Sequence, residues 1–433
     1  MSNRSVIRTI IIVGVFLALG VGSLGGLASA DNPTNPLSTN SLVSDDVNID
    51  VVNNQEYSPA IAYNWKRNEY MVAGEMIWTD GKHYILTYRI NSEGSVTTIG
   101  QASGNSHDSL QPDIAYDPVN DRYLVVYTVD INDDGSDYDI YGRFIPWSGY
   151  DSGGTEFPIA TSVHSEWHPR VAYGRTRQEY LVAWIDHPSS GATHVGGTLV
   201  TASDGSLASP WQISTGTVND DFPDVAYNLA RNEYLVVWDR DNSGGGTGMD
   251  ISGVRLRGDG VALGGGELGI AGWPDDEERP AVAACDKADQ YVVAWQSDTT
   301  LGGYDIYMRY VDGDGALAGV YVVDQTTSPE EEVDVSCDLS GYRYFLTWQS
   351  RYVNLKYGII GRLAYPAEFM GAAAEIKLPS QLSSRKHPAV AGGSTNYLIA
   401  WESERDNASE QDLIGRFYTP YRLQLPLVVK DTP

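Results

Sequence analysis

One short phrase recurs seven times along this chain, and this repetition limits the folds open to it more than any other feature. The phrase is a proline-led apolar segment such as Pro223-Asp-Val-Ala-Tyr227, followed by a segment such as Tyr234-Leu-Val-Val-Trp238. Successive copies start 53, 57, 54, 57, 53 and 55 residues apart, at Pro59, Pro112, Pro169, Pro223, Pro280, Val333 and Pro388. Each copy is therefore expected to form one unit that packs against its neighbours.

Each copy holds four segments with the character of short strands. A third phrase, Asp305-Ile-Tyr-Met-Arg309 in copy five, is followed by the hairpin signal Asp314-Gly315 and then by Val320-Tyr-Val-Val323. Four antiparallel strands in a repeat of this length are typical of propeller blades. We therefore predict an all-β fold, a seven-bladed β-propeller with four antiparallel strands per blade.

The N-terminus supplies a strand that copy seven lacks. Copy seven ends after its third strand, near Tyr418, whereas Ile49 lies 10 residues before Pro59, as Ile213 lies 10 residues before Pro223. We predict that an N-terminal strand closes the last blade and covers its open sheet edge. The competing candidate is the segment 423–428, but it carries a proline in mid-strand, which weakens a β-ladder.

These repeats resemble those of bacterial secreted β-propeller proteins with Pro-x-Val-Ala-Tyr, Tyr-Leu-Val-Val-Trp and Asp-Ile-Tyr-Gly-Arg phrases. The resemblance covers about residues 47–418, and we expect a propeller over residues 47–420 followed by a C-terminal tail at 421–433. It implies no particular activity, because this fold hosts unrelated functions.

The first 30 residues have the pattern of a signal peptide. Arg4 and Arg8 precede an uncharged apolar run, and Ala28-Ser-Ala30 matches a cleavage site. We expect a signal peptide at 1–30, a linker at 31–46, a secreted or cell-surface protein and no membrane insertion after cleavage. A retained membrane anchor is the alternative, because the run is nearly long enough to span a bilayer.

The charge balance limits the partners. The chain has 29 Lys and Arg against 57 Asp and Glu, a formal net charge of −28. Nucleic acids and anionic lipids need clustered basic residues, so neither is expected as a partner. We expect a monomer that binds an extracellular glycan, protein or small ligand.

Acidic residues precede the repeat proline in most copies, where a loop is expected to enter the innermost strand. We call the ring face that carries these loops and the connections between second and third strands the loop face. The acidic residues are expected to surround one mouth of the central channel and hold a cation or basic ligand, or else to form a solvated rim. They are Glu56, Asp108, Glu166, Asp220, Asp221, Glu277, Glu278, Glu330, Glu331 and Glu332.

Charged residues also follow the proline, where successive blades bring them together near the axis. They either bind a ligand or form ion pairs between blades. With nearby histidines and acids they make up the candidate ligand-binding set on the loop face: Asp113, His168, Arg170, Asp221, Asp224, Glu278, Asp334 and His387.

One loop resembles the start of a calcium-binding loop. Alternating oxygen ligands with Gly135 at the sixth position match that pattern, although Tyr141 stands where an EF-hand has glutamate. We predict a Ca²⁺ site, with a polar connecting loop as the alternative. Its ligands would be Asp130, Asn132, Asp134, Asp137 and Asp139.

The two cysteines, Cys285 and Cys337, fall near the same place in copies five and six. Export permits a disulfide between neighbouring blades, and two buried free thiols are the alternative.

Three functional hypotheses remain. The leading one is a non-catalytic extracellular propeller that binds a ligand, glycan or protein on its acidic loop face, stabilised by calcium. The second is a secreted carbohydrate-active hydrolase or lyase with carboxylates at the channel mouth, since glycoside cleavage uses two carboxyl groups. The third is a structural surface-layer component.

Overall fold

Seven four-stranded antiparallel sheets make up the part of the chain that the computed structural model describes. It describes residues 43–420, apart from 52–53, 105–106, 150–153, 243–247, 300–302, 353, 367–368, 378–382 and 405–410. The predicted signal peptide (1–30), most of the predicted linker (31–46) and the predicted tail (421–433) lie outside the described residues. Within them, no helix is long and apolar enough to cross a membrane.

The blades follow the repeat in chain order. Blade 1 contains β2 (Gln55–Asn64), β3 (Glu69–Ile77), β4 (His83–Asn91) and β5 (Val96–Gln101). Blade 2 contains β6 (Asp108–Asp117), β7 (Arg122–Asp130), β8 (Tyr138–Pro146) and β9 (Phe157–Ala160). Blade 3 contains β10 (Ser165–Gly174), β11 (Glu179–His187), β12 (His194–Thr201) and β13 (Trp211–Gln212). Blade 4 contains β14 (Asp220–Asn228), β15 (Glu233–Asp241), β16 (Met249–Arg257) and β17 (Ala262–Gly269).

The remaining blades have the same order, except that the last takes its outer strand from the N-terminus. Blade 5 contains β18 (Glu277–Cys285), β19 (Gln290–Thr299), β20 (Gly303–Asp312) and β21 (Leu317–Asp324). Blade 6 contains β22 (Glu330–Cys337), β23 (Tyr344–Arg351), β24 (Tyr357–Tyr365) and β25 (Phe369–Lys377). Blade 7 contains β26 (Arg385–Gly392), β27 (Tyr397–Glu404), β28 (Gln411–Tyr418) and β1 (Val47–Asp50). The predicted seven-bladed fold is confirmed.

Ring closure also occurs as predicted. β1 pairs antiparallel with β28, with Val47 opposite Gly415. Ser44 extends the contact, because its amide donates to the Phe417 carbonyl at 2.9 Å and its hydroxyl accepts from the Phe417 amide at 2.9 Å. The outer edge of β28 is therefore paired rather than exposed.

The blades pack through large side chains of the second strands and small side chains of the first. Trp238, Trp295, Trp348 and Trp401, one from each of blades 4 to 7, are fully buried. Ala172 and Ala226, on the innermost strands, belong to the clusters that bury these aromatic residues. Side-chain size therefore decreases toward the axis, where the blades come closest together.

A disulfide crosses one blade junction. Cys285 at the end of β18 is bonded to Cys337 at the end of β22, with a Cα–Cα distance of 5.5 Å. It connects the innermost strands of blades 5 and 6.

The innermost strands begin earlier than the repeat phrase suggests. In blade 4, Asp221 lies opposite Asp239 but Asp224 lies opposite Val237, so a β-bulge interrupts the pairing just before the repeat proline. The same irregularity occurs in all seven blades. At each bulge a non-glycine residue has φ between 45° and 56°, a left-handed conformation that such residues rarely adopt. The seven residues are Ser58, Gln111, His168, Phe222, Arg279, Glu332 and His387.

This extension corrects the prediction of an acidic rim built from loops. Residues before the bulge still belong to the strand, so their side chains alternate between its two faces. Five of the acids are 0 or 1% exposed: Glu56, Glu166, Asp220, Glu277 and Glu330. None of these five lines the central channel. Burial raises the pKa values of Glu166, Glu277 and Glu330 to about 7.

Candidate functional site: the central channel

The innermost strands of all seven blades enclose a channel with a cavity volume of about 710 Å³. Two tiers of side chains matter here. The mouth tier consists of the seven left-handed bulge residues Ser58, Gln111, His168, Phe222, Arg279, Glu332 and His387. The inner tier lies two residues further along each strand and consists of Ala60, Asp113, Arg170, Asp224, Ala281, Asp334 and Ala389.

The three aspartates of the inner tier bind the main chain of the next blade. Asp224 accepts the Val282 amide of blade 5 at 2.6 Å and the Val225 amide of its own blade at 2.8 Å. Asp113 makes the same pair of bonds to Val171 and Ile114, and Asp334 to Val390 and Val335. We call this arrangement the inner clamp; it joins blades 2 to 3, 4 to 5 and 6 to 7.

Arg170 is the basic residue of the inner tier. Its Nη1 donates to the carbonyl of Pro169 at 2.9 Å. Burial raises the pKa of Asp224 to about 7 and that of Asp334 to about 6, and the charge of Arg170 opposes both shifts. Burial likewise raises the pKa of Asp113, again opposed by Arg170. Asp113, Arg170, Asp224 and Asp334 thus all line the channel.

A second set of hydrogen bonds fixes the mouth tier. At five of the seven blade junctions, a side chain of the second strand accepts the amide of the bulge residue in the next blade, at 2.9 to 3.3 Å. We call this bond the mouth clamp. The acceptors are Glu402, Glu75, Asp239, Gln296 and Gln349. Between blades 2 and 3, Gln111 accepts the His168 amide instead, at 3.3 Å.

The junction between blades 3 and 4 lacks both clamps. Ile185 stands at the position of the mouth-clamp acceptor, in register opposite Trp167, and Arg170 stands at the position of the inner-clamp aspartate. Neither side chain can accept a hydrogen bond. The Phe222 amide instead donates to Asp221 of its own blade at 2.8 Å.

Side-chain contacts replace the clamps at this junction. His168 Nδ1 lies 3.0 Å from Asp221 Oδ1, and the His168 ring stacks on Phe222 with centroids 4.7 Å apart. The Arg279 guanidinium carbon lies 4.1 Å from the Phe222 centroid. We call His168, Arg170, Asp221, Phe222 and Arg279 the variant sector, because the ring departs here from its repeated hydrogen bonds.

The structure brings most of the predicted set together. Six of the eight residues line the cavity: Asp113, His168, Arg170, Asp224, Asp334 and His387. Asp221 does not line it, but its carboxylate contacts the His168 ring. Glu278 does not line it and accepts from the Tyr304 hydroxyl at 3.0 Å. The His387 ring lies 2.8 Å from Glu402. Burial lowers the pKa of His387, but the Glu402 carboxylate raises it by more, so the pKa of His387 lies above its ordinary value.

Sequence reasoning missed Phe222 and Arg279. Both stand immediately before the repeat proline, where the sequence pattern predicts an irregular loop. The available signal was the diversity of that position, since seven copies of one phrase carry six different residue types there.

The predicted calcium loop is folded by its own hydrogen bonds. Asp130 Oδ2 accepts the Gly135 amide at 2.7 Å, and Asp134 accepts the Ser136 amide at 3.0 Å. Asn132 donates to the Ser136 hydroxyl at 3.2 Å. Among the residues that the structure describes, no three His, Cys, Asp or Glu side chains are grouped so as to hold a metal ion. The Ca²⁺ site, with Asp137 and Asp139 as its remaining ligands, therefore stays a prediction.

Comparison with known proteins supports the architecture alone. No family model matches the chain, and no curated protein matches it. Among solved structures, the chain is similar to the polysaccharide lyase Uly1, at 8% identity and a TM-score of 0.55, over 84% of this chain and 90% of that chain. It is also similar to the Dos1 propeller, at 9% identity and a TM-score of 0.44, over 84% and 93% of the two chains. At this identity, the likeness to Uly1 shows a shared fold alone.

Proposed function

We propose that this protein is a secreted, non-catalytic β-propeller that binds a glycan on its loop face, at the variant sector of the channel mouth. Export rests on the N-terminal signal-peptide pattern. The observation that carries the binding site is the loss of both clamps between blades 3 and 4. A single binding site on a scaffold of similar blades requires one blade junction to differ from the others in its side chains. The junction between blades 3 and 4 differs in this way.

The chemistry of the variant sector suits a glycan. Phe222 holds His168 and Arg279 against its ring, so their polar groups stay fixed at the mouth. The cavity walls also carry Arg170 as a donor and, as an acceptor, Glu332, whose carboxylate pairs with the Arg279 guanidinium at 2.9 Å. Glycan hydroxyls both donate and accept, so a concave site with fixed polar groups of both kinds can orient them.

The inner aspartates favour binding over catalysis. Cleavage of a glycosidic bond uses two carboxyl groups that act on the substrate. Asp113, Asp224 and Asp334 instead each accept two main-chain amides. One observation favours the hydrolase or lyase alternative: burial raises the pKa of Asp224 to about 7, a value suited to a general acid.

The test is a glycan microarray with the mature chain, followed by calorimetry on the glycans that bind. Arg170→Met and His168→Ala should each weaken binding by about tenfold or more, equivalent to about 1.4 kcal/mol. His387→Ala is the matched control, because His387 is the mouth-tier histidine outside the variant sector, and it should bind nearly as wild type does. Equal binding by all variants would contradict the site. Release of glycan fragments, lost in Asp224→Asn, would support the enzyme alternative.

A further inference from the structure

Blade 3 departs from the repeat at a second place, away from the channel. Gly196 on β12 lies opposite Trp184 of β11. In blades 4 to 7 the corresponding residue opposite the tryptophan always has a side chain, and it is Ser252, Tyr307, Ile360 and Ile414 in turn. Two positions earlier, His194 replaces the aspartate found there in blades 2, 4, 5 and 7, namely Asp139, Asp250, Asp305 and Asp412.

These departures accompany a cavity of about 460 Å³ between blades 2 and 3, which we call the blade 3 pocket. Its walls include Ile159 and Ala160 of β9, together with Trp184, His194 and Gly196 of blade 3. A Cβ atom at position 196 would lie 2.9 Å from Trp184 Nε1. The Trp184 indole therefore packs directly over the Gly196 backbone, and the same indole lines the cavity.

Blade 5 shows what fills the corresponding space elsewhere in the same molecule. Tyr307, the counterpart of Gly196, stacks on Trp295, the counterpart of Trp184, with ring centroids 6.4 Å apart and planes 19° apart. Trp273 packs edge-on against Tyr307 at 5.1 Å. A six-membered ring that bears a hydroxyl group thus lies against the tryptophan in blade 5, whereas blade 3 has no side chain at the corresponding position, Gly196.

Two residues that line the blade 3 pocket, Glu166 and His194, each carry a buried polar atom without a hydrogen-bond partner among the described residues. Glu166 is 1% exposed; its Oε1 accepts from the Ser162 hydroxyl, and its Oε2 has no hydrogen-bond partner among the described residues. His194 Nδ1 is buried and has no such partner either within the described part of the chain. Leaving buried polar atoms unpaired is costly, so a ligand that pairs with them gains affinity.

The rim of the blade 3 pocket supplies a further polar pair. His164 Nδ1 lies 2.7 Å from Asp186 Oδ1, and the two side chains are 37% and 33% exposed. Burial raises the pKa of Glu166 to about 7, so its carboxyl group both donates and accepts near neutrality. Groups that donate and accept suit hydroxyls better than a fixed charge.

We propose that the blade 3 pocket binds a six-membered ring bearing hydroxyl groups, and that its ligand is a pyranose unit of a glycan. Several polar residues around one apolar wall favour a ring with several hydroxyls over a phenol, which has one. The stacking surface is Trp184, and Glu166 and His194 pair with the hydroxyls. This site lies outside the channel and does not depend on the variant sector.

The test uses saturation-transfer NMR with methyl glucopyranoside, methyl galactopyranoside, methyl mannopyranoside, methyl N-acetylglucosaminide and p-cresol as probes. At least one pyranoside should bind the wild-type protein. Gly196→Tyr, which copies blade 5, should abolish that signal. His194→Asp introduces the aspartate found in blades 2, 4, 5 and 7, and Glu166→Gln changes one polar group. Each should weaken binding about tenfold.

Matched variants separate this site from the channel. Ser252→Ala, at the position of Gly196 in blade 4, should leave pyranoside binding unchanged. Should Gly196→Tyr fail to fold, His194→Asp carries the test. Binding of p-cresol alone, no pyranoside binding, or wild-type binding by the pocket variants would overturn the proposal. Pyranoside binding lost only in Arg170→Met would place the ligand in the channel instead.

Discussion

Asp224→Ala tests whether the inner clamp is structural. The substitution removes the acceptor for two main-chain amides, those of Val282 at 2.6 Å and Val225 at 2.8 Å, whose residues are 6 and 7% exposed. A buried amide left without a partner costs about 1–3 kcal/mol, so the two together should destabilise the propeller by about 2–6 kcal/mol. The folded region spans about 380 residues, so its unfolding entropy is about 0.8 kcal/mol per kelvin. We expect Tm to fall by about 3–7 °C.

Differential scanning calorimetry at pH 6.5 measures this shift, and two variants calibrate it. Glu93→Ala removes the carboxylate of an exposed turn residue in blade 1, and should lower Tm by less than about 1 °C. Asp224→Asn keeps one acceptor oxygen and should fall between Asp224→Ala and wild type. A Tm for Asp224→Ala within 1 °C of wild type would refute the clamp, and would free this carboxyl group for a role in binding or catalysis.

Three further outcomes follow from the structure. The protein should melt at a higher temperature at pH 5.5 than at pH 8. Folding raises the pKa values of Glu277 and Glu330 from 4.5 to about 7, so the stability that depends on their protonation is lost as the pH rises through that window. A higher Tm at pH 8 would contradict this prediction. Replacing Cys285 and Cys337 by serine opens a bridge between residues 52 apart and should destabilise by about 2–4 kcal/mol in denaturant titrations, whereas an unchanged midpoint would show that the bond adds nothing. Excess chelator should lower Tm if Ca²⁺ binds the loop at 130–139, and an unchanged Tm removes that prediction.

The propeller ring was predictable because the hydrophobic pattern that produces each blade is repeated along the sequence. Seven copies of one phrase fix the number of blades, and the spacing between Ile49 and Pro59 predicts closure by the N-terminus. Both depend on hydrophobic patterning, which a sequence displays directly. The pairing of β1 with β28 confirms the second.

The detail of the candidate site was not predictable, for a physical reason. A bulge with a left-handed histidine or phenylalanine has no sequence signature, since glycine and asparagine are the usual residues there. Without the bulge, Glu166 and Glu277 are read as loop residues, and their burial is missed. Phe222 and Arg279 are missed for the same reason, because their neighbours come from adjacent blades.

The most direct test of the proposed function is a crystal structure of the mature protein with a glycan that binds it in the microarray. We expect the glycan at the channel mouth, with its hydroxyls bonded to His168 and Arg170 and the inner aspartates still holding the amides of the next blade. A glycan bound elsewhere, with the variant sector free of ligand, would contradict the assignment of the site. A cleaved glycan in the channel would contradict the non-catalytic role.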